Sequence, residues 1–331
     1  MANILIYTVE EYDDKYFKIF SGVYNDFKNK AFSDYMFELS PLEYDDFIRY
    51  INEGLLKCIV LFEDNIPTAF LAYTTVISES IELNIIHSIS TENINHKRKL
   101  LLDKFLEINN HEMTKKVVTY PLLGTQADFE EEIINYGFEV VHHSVMKFPM
   151  NNIGNIKTLS KLELQELPEQ FRISDWDQAF FDKAVELIHS SFKNASDAYF
   201  DTRFKSITGT TDIIEKITTG VYGNFLEHET KMLLCKNKLV GICFANLTNS
   251  QIANIPLIAI SSKYRSRGFS EILLKSCIEN IINSAMNGAW GLIEVNASVD
   301  NANKSAVKMY KSIGFTESYT YPQAYRPITQ Y

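Results

Sequence analysis

The chain has 331 residues, 46% of them hydrophobic and 22% charged, which gives length for about two packed domains and leaves no room for long disorder. A formal net charge of −10 argues against broad binding to nucleic acid or anionic membrane, which needs a basic surface. No apolar stretch approaches the ~20 residues of a membrane helix, and the acidic N-terminus lacks a signal-peptide core.

The four cysteines, Cys58, Cys235, Cys243 and Cys277, are scattered and match no metal-ligand spacing. They read as reduced thiols in a cytoplasmic protein, with no metal implied. In chain order, residues 57–76 hold two apolar runs around Glu63-Asp64-Asn65, a hairpin pattern. A strand is predicted over 81–89, a helix over 96–113 from Leu100, Leu101, Phe105 and Ile108, and a strand over 115–122. Residues 128–138 predict a short helix closed by Gly137, and 139–148 alternate as a strand. His142 and His143 are adjacent there, so they face opposite ways and are ordinary core or surface histidines. The polar segment 151–170 reads as a linker between domains 1–150 and 171–331.

The second half repeats the order. A strand at 171–177 precedes a helix through Ala184, Leu187 and Ile188. A polar stretch, 193–211, leads to a helix predicted over 212–219. A hairpin over 231–247 turns at Lys236-Asn237-Lys238, and a strand spans 252–260. A helix runs from there to about 286, a strand covers 291–299, and a helix over 303–315 ends in Gly-Phe before a last strand. "EEIINYGFEVV" and "VKMYKSIGFTES" close the two halves alike. Duplication of one α/β unit explains the match better than coincidence.

Two segments could carry chemistry. In "YRSRGFSEILL", residues 264–274, Arg265, Ser266, Arg267, Gly268, Phe269 and Ser270 lie where a strand gives way to a helix. Glycine permits close backbone approach, and a helix start offers free N–H groups to an anion. The turn lacks a P-loop lysine and the three glycines of a dinucleotide fingerprint, and its own residues allow a merely solvated basic turn as readily. In "NKSAVKMYKSIGF", steps of three, four and four put Asn303, Ala306, Tyr310 and Gly314 on one helix face. A tyrosine there could donate a proton, though such a tyrosine is more often core.

The ordered pair of segments resembles the GCN5-related N-acetyltransferase (GNAT) superfamily over about 172–328. The family's Arg/Gln-x-x-Gly-x-Gly/Ala turn is matched from Arg265 to Ser270, with Ser270 in place of the final Gly or Ala. Its Asn-x-x-Ala-x-x-x-Tyr-x-x-x-Gly-Phe stretch is matched from Asn303 to Phe315 without gaps. The resemblance implies an α/β fold of two tandem acetyltransferase-like domains, each a mostly antiparallel sheet flanked by helices. It implies acetyl-CoA as cofactor, with the pyrophosphate on the amides of Arg267 to Ser270 and the pantetheine along the backbone of Ile258 and Ile260. Asn303 would touch the cofactor near its thiol end, and Tyr310 would protonate the departing thiolate. A primary amine of a small molecule or peptide would attack directly in a ternary complex.

The general base stays open. The family's glutamate position falls on Ser298, and Glu294 on the same strand face is a candidate. An ion-paired Glu294 or a relay through water are the alternatives. The first half shows no such turn in STENINHKRKLL and has Ile133 where the tyrosine would stand, so it reads as a degenerate copy. The segment 193–211, with Tyr199, Asp201 and Arg203, would shape the acceptor site. The acceptor itself is open between an amino sugar nucleotide, a peptide N-terminus and other amines. A non-catalytic acyl-CoA-binding scaffold is the rival class. The partners expected are the amine substrate, no nucleic acid and no membrane, in a monomer or homodimer.

Overall fold

A computed structural model describes residues 5–35, 41–75, 80–109, 116–119, 122 and 124–327. The chain forms two compact units, one running to Val141 and resuming at Tyr321, the other being His142–Thr320.

The first unit contains β1 (Tyr7–Glu11), α1 (Phe17–Asp34), α2 (Tyr44–Asn52), β2 (Lys57–Glu63), β3 (Ile66–Thr74), β4 (Ser80–Ser88), α3 (Ile94–Ile108), β5 (Lys116–Thr119) and α4 (Glu130–Ile134). Successive side chains of β2 and β3 point to opposite faces. Ile59, Leu61 and Leu71 join Leu101, Leu102 and Phe105 of α3 in one core. Cys58, Val60 and Phe70 join Phe20, Phe27 and Phe47 of α1 and α2 in another. Burial on both faces explains why "CIVLF" is a continuous apolar run rather than an alternating one. The hairpin turns at Asp64 and Asn65, both with positive φ, as a type I′ turn demands. Strands β1 to β4 pair antiparallel in sequence order, and β4 pairs parallel with β5.

The second half contains β6 (Glu139–Pro149), α5 (Ile153–Lys161), β7 (Phe171–Asp175), α6 (Phe181–Phe192), α7 (Asp197–Phe200), α8 (Ile207–Thr218), β8 (Asn224–Phe225), β9 (Lys231–Cys235), β10 (Lys238–Cys243), β11 (Asn246–Asn249), β12 (Ile252–Asn254), β13 (Ile258–Ile260), α9 (Phe269–Met286), β14 (Glu294–Asp300), α10 (Lys304–Ile313) and β15 (Thr316–Arg326). The β9–β10 turn again uses two positive-φ residues, Lys236 and Asn237. One core lies under α6 and α8, around Ile188, Ile214, Met232 and Phe244. The other lies under α9, around Leu233, Leu274, Cys277 and Ile278.

Several expectations change. The helix predicted over 212–219 starts earlier, because Ser206 accepts a hydrogen bond from the Gly209 N–H (3.0 Å) and caps α8. The predicted linker contains α5, and its Leu159 is 1% exposed in the α9 core. The units do not divide at that segment. The division falls inside β6, after Val141, and inside β15, after Thr320. The far end of β15 pairs with β5 of the first unit at Tyr325–Val118 and Arg326–Val117. Residues 110–113 of the predicted α3 and parts of the strand predicted over 115–122 lie outside the described residues.

The largest difference lies at 252–260, which is two strands. β12 pairs with β11 and, in parallel, with β14, whereas β13 pairs with β10. Pro256 sits between them without a backbone N–H, so a continuous ladder is interrupted there. The partner strand breaks at the same level, between β10 and β11. Within the second unit the sheet therefore splits in two, and β13 becomes the outermost strand of the set β13-β10-β9-β7.

Candidate active site

The split sheet positions the site. The Ile255 N–H bonds the Asn296 carbonyl (2.9 Å), and this is where β12 and β14 part. Beyond it, the Phe244 N–H bonds the Leu257 carbonyl (2.9 Å) and the Ser261 N–H bonds the Val240 carbonyl (2.8 Å). Odd-numbered residues of β13 thus face β10, and the backbone groups of Ile258 and Ile260 point away from it. Arg265 Nε donates to the Ile260 carbonyl (3.0 Å). The Ile258 N–H and C=O and the Ile260 N–H are left at an edge that offers hydrogen bonds to an extended ligand.

The chain then turns into α9. Ser266 has φ +59°, Gly268 has φ +71° and ends the turn in the left-handed region, and no side chain caps the amides that follow. A Cβ built on Gly268 meets no atom within 4 Å, so the turn opens onto free space. Arg265, Ser266 and Arg267 are exposed, with the Arg267 guanidinium 5.7 Å from the Tyr264 ring. Phe269 is buried against Phe171, and Ser270 Oγ is taken by Glu271 (2.9 Å). Uncapped N–H groups, the positive helix end and two exposed arginines can form an anion cradle.

Tyr310 lies at the root of the split. It is 4% exposed and packs edge-on against Phe315. Burial, reinforced by nearby Cys243, Cys277 and Asp197, pushes its phenol well above its ordinary range, so it stays protonated at neutral pH. Cys243 is the register partner of Ile258, which ties Tyr310 to the β13 edge. Asn303 caps α10, its Oδ1 accepting from the Ala306 N–H (3.1 Å), with its Nδ2 not used in that bond. Glu294 stands at the opposite end of β14 from Asp300, held by Lys147 Nζ (3.0 Å) and Asn296 Nδ2 (3.1 Å). Both of these donors occupy the carboxylate, as the ion-paired alternative expects.

The sequence did not single out the polar residues that gather on the other face of β14. Val295, Ala297 and Val299 enter the α9 core, so Asn296, Ser298 and Asp300 face the α6–α8 side. His143 of β6 is opposite Asp300, and Phe200 of α7 stands edge-on to its ring. Ser196 Oγ donates to Asp300 Oδ2 (2.5 Å). Asp197, beside it, feels the charge of both His143 and Asp300, and burial raises its carboxyl above the usual range. By contrast, Asp201 and Arg203 are bound to each other, and Arg203 also to Asp212 (2.6 Å). In the 193–211 segment it is Ser196 and Asp197 that meet the strand. The chain order of 193–211 holds no periodicity that could have said so.

A sheet split beside a glycine-started helix, with a buried tyrosine at its root, is an arrangement of the acetyltransferase fold. Residues 207–326 match the family model described as an acetyltransferase (GNAT) domain. No curated protein matches the chain. Among solved structures, a GCN5-related N-acetyltransferase from Sphaerobacter thermophilus aligns over 98% of this chain and 96% of its own, at 13% identity and TM-score 0.61. A tandem GNAT protein from the clavulanic acid biosynthesis pathway aligns over 98% and 100%, at 8% identity and TM-score 0.56. The glucosamine N-acetyltransferase region of a fungal multi-domain β-N-acetylglucosaminidase aligns over 98% of this chain and 38% of that one, at 10% identity and TM-score 0.61. The chain shares the fold of these acetyltransferases, two acetyltransferase-like domains in tandem, and its residues 207–326 match the GNAT domain itself.

Proposed function

We propose that the second unit transfers acetyl from acetyl-CoA to a primary amine. The observation that carries this reading is the joining of three features: the open edge of β13, the uncapped glycine turn and the buried phenol of Tyr310. The residues present fit the cofactor. The edge groups of Ile258 and Ile260 suit the amides of a pantetheine arm, and the amides from Arg267 to Ser270, with Arg265 and Arg267, suit a pyrophosphate. On this reading Asn303, whose Oδ1 is spent on its helix cap, meets the arm through its Nδ2. When bound, the cofactor supplies an activated acetyl thioester.

Tyr310 serves as the acid. A phenol raised by burial remains protonated at neutral pH, so it is available as a donor where the thiolate departs, and exclusion of water raises the basicity of that thiolate as it forms. The amine attacks directly, because no side chain of the site is an activated nucleophile: Cys243 is buried and its thiol is raised well above the usual value. The reading does not route a proton through Glu294, whose carboxylate is committed to Lys147.

The test is thiol release from acetyl-CoA with a panel of amines, using wild type and Tyr310→Phe. The variant keeps acetyl-CoA affinity within about twofold and loses roughly a hundredfold in kcat. Unchanged turnover removes Tyr310 from the mechanism, and wild type that binds no acetyl-CoA overturns the reading as a whole.

A further inference from the structure

Asp197 is half-buried, and among the described residues its carboxylate has no Lys or Arg partner: it is hydrogen-bonded to its own backbone N–H and feels the charge of His143. A carboxylate in that position needs a cation. The sheet face beneath it adds an independent requirement. Asn246, Asn254 and Asn296 are register partners across β11, β12 and β14, so they form one polar row at the level of the split. Asn246 is fully buried, and its Nδ2 is used by the Ile217 and Gly223 carbonyls (3.2 and 3.0 Å), which fixes the amide's orientation. The Asn296 Nδ2 is fixed in the same way by Glu294. The Oδ1 atoms of both residues are buried and have no partner. Buried acceptors of this kind call for N–H or O–H donors. The face from Asn296 to Asp300 therefore asks for a donor-rich cation, spread over roughly 13 Å of strand.

Two cations of this half are already committed to carboxylates. Arg203 is neutralised by Asp201 and Asp212, and Lys147 by Glu294. The Asp300 and Asp197 carboxyls both lie toward this face, with His143 opposite Asp300.

We propose that Asp197, facing His143 and Asp300, seats the ammonium group of the acceptor, and that the acceptor is a cationic primary amine with no phosphate or carboxylate close to its reacting nitrogen. This rests on the amine-transfer reading above. The ammonium passes one proton to the Asp197 carboxylate, which leaves a neutral amine and a carboxylic acid. The nitrogen forms its bond to the acetyl carbon as the carbon–sulfur bond breaks, and Tyr310 supplies the thiol proton. The second nitrogen proton leaves to solvent as Asp197 and Tyr310 return to their starting states. Burial supports Asp197 in this part, since a raised carboxyl accepts a proton more readily.

The test compares amines that differ by one anion: cadaverine against lysine, and glucosamine against glucosamine 6-phosphate, each with acetyl-CoA and the full-length enzyme. The cationic member of each pair has kcat/KM at least about tenfold higher in wild type. In Asp197→Asn that ratio falls toward one and kcat/KM for the cationic member drops about a hundredfold, while calorimetry finds acetyl-CoA binding unchanged. Asp197→Glu recovers part of the loss. An equal or reversed preference in wild type, inert pairs with acetyl-CoA bound, or full activity in Asp197→Asn overturns the proposal. Failure of acetyl-CoA to bind wild type overturns instead the amine-transfer reading beneath it.

Discussion

Two helix starts show what separates the units. In the first, α3 begins after Asn93, which is left-handed with φ +53°; in the second, α9 begins after Gly268, left-handed with φ +71°. Neither helix has a side-chain cap. The backbone trace is shared, and the side chains are not. Asn93 Nδ2 donates to Tyr7 (3.3 Å), and His96 packs edge-on against the Tyr7 ring. Four residues past Asn93 comes Lys97, 2% exposed and paired with Glu63 at 3.0 Å, then Arg98, also buried. At the same offsets from Gly268 stand Ile272 and Leu273, which pack in the α9 core. The first unit has filled its helix start with its own side chains and the second has left it clear. The strands differ in the same sense: β4 runs unbroken over nine residues, whereas its counterpart is divided at Pro256 into β12 and β13.

The sharpest way to break this comparison is to place a carboxylate at each turn. Gly268→Glu lowers acetyl-CoA affinity about a thousandfold, ~4 kcal/mol, because an anion then occupies the positive helix end. Asn93→Glu leaves affinity unchanged, and calorimetry on both variants checks the pair. Since a Cβ at Gly268 meets nothing within 4 Å, the fold of Gly268→Glu loses only the strain of a left-handed side chain, about 1–2 kcal/mol.

Next in size are the helix bodies, where the units are alike. Leu102 in α3 and Leu274 in α9 are both 0% exposed. Changing either to Ala costs about 3 kcal/mol in urea unfolding, and a large inequality between them would show that packing, not the turn alone, has diverged.

Acid should separate the units more gently. His87 of β4 accepts from or donates to Tyr35 at Nδ1 (2.6 Å) and meets Asp26 at Nε2 (2.9 Å), and burial lowers its pKa to about 4 against the pull of Asp26. Above its unfolded value, ~6.5, the imidazole is neutral in both states and adds no pH dependence. As pH falls from there to about 4, the unfolded chain takes a proton that the folded one refuses. Stability therefore falls by about 3 kcal/mol across that window and levels off below it. Hydrogen exchange checks this: amides of β3 and β4 lose protection before those of β9 and β10, and His87→Gln removes the trend. The smallest effect is expected at Arg267, whose exposed side chain meets only the Tyr264 ring. Arg267→Ala weakens acetyl-CoA binding by less than about 1 kcal/mol, more at low salt than at high salt, with Tm unchanged.

Much of the fold is legible in residues with local consequences. Asp64-Asn65 and Lys236-Asn237 announce their hairpins because few residues tolerate positive φ, and Gly268 and Gly314 mark helix ends for the same reason. Ser206 carried a readable cap for α8. Pro256 likewise carried a readable signal for the split, overridden by the apolar run on either side of it. Asp197 and His143 were not legible. Their meeting depends on which strand lies beside β14, and neither periodicity nor spacing encodes the choice of a neighbour 150 residues away.

The crossing of the chain within β6 and β15 has a consequence for biosynthesis. Val118 waits for Tyr325 and Val117 waits for Arg326, so the edge of β5 is completed by residues made about 200 positions later. At ~5–20 residues per second, the ribosome needs roughly 10–40 s to travel that distance. Throughout it, a nearly finished first unit exposes an open strand edge, the surface most prone to pairing with another nascent chain. The first unit is begun before the second, yet it is completed only after the second has been made.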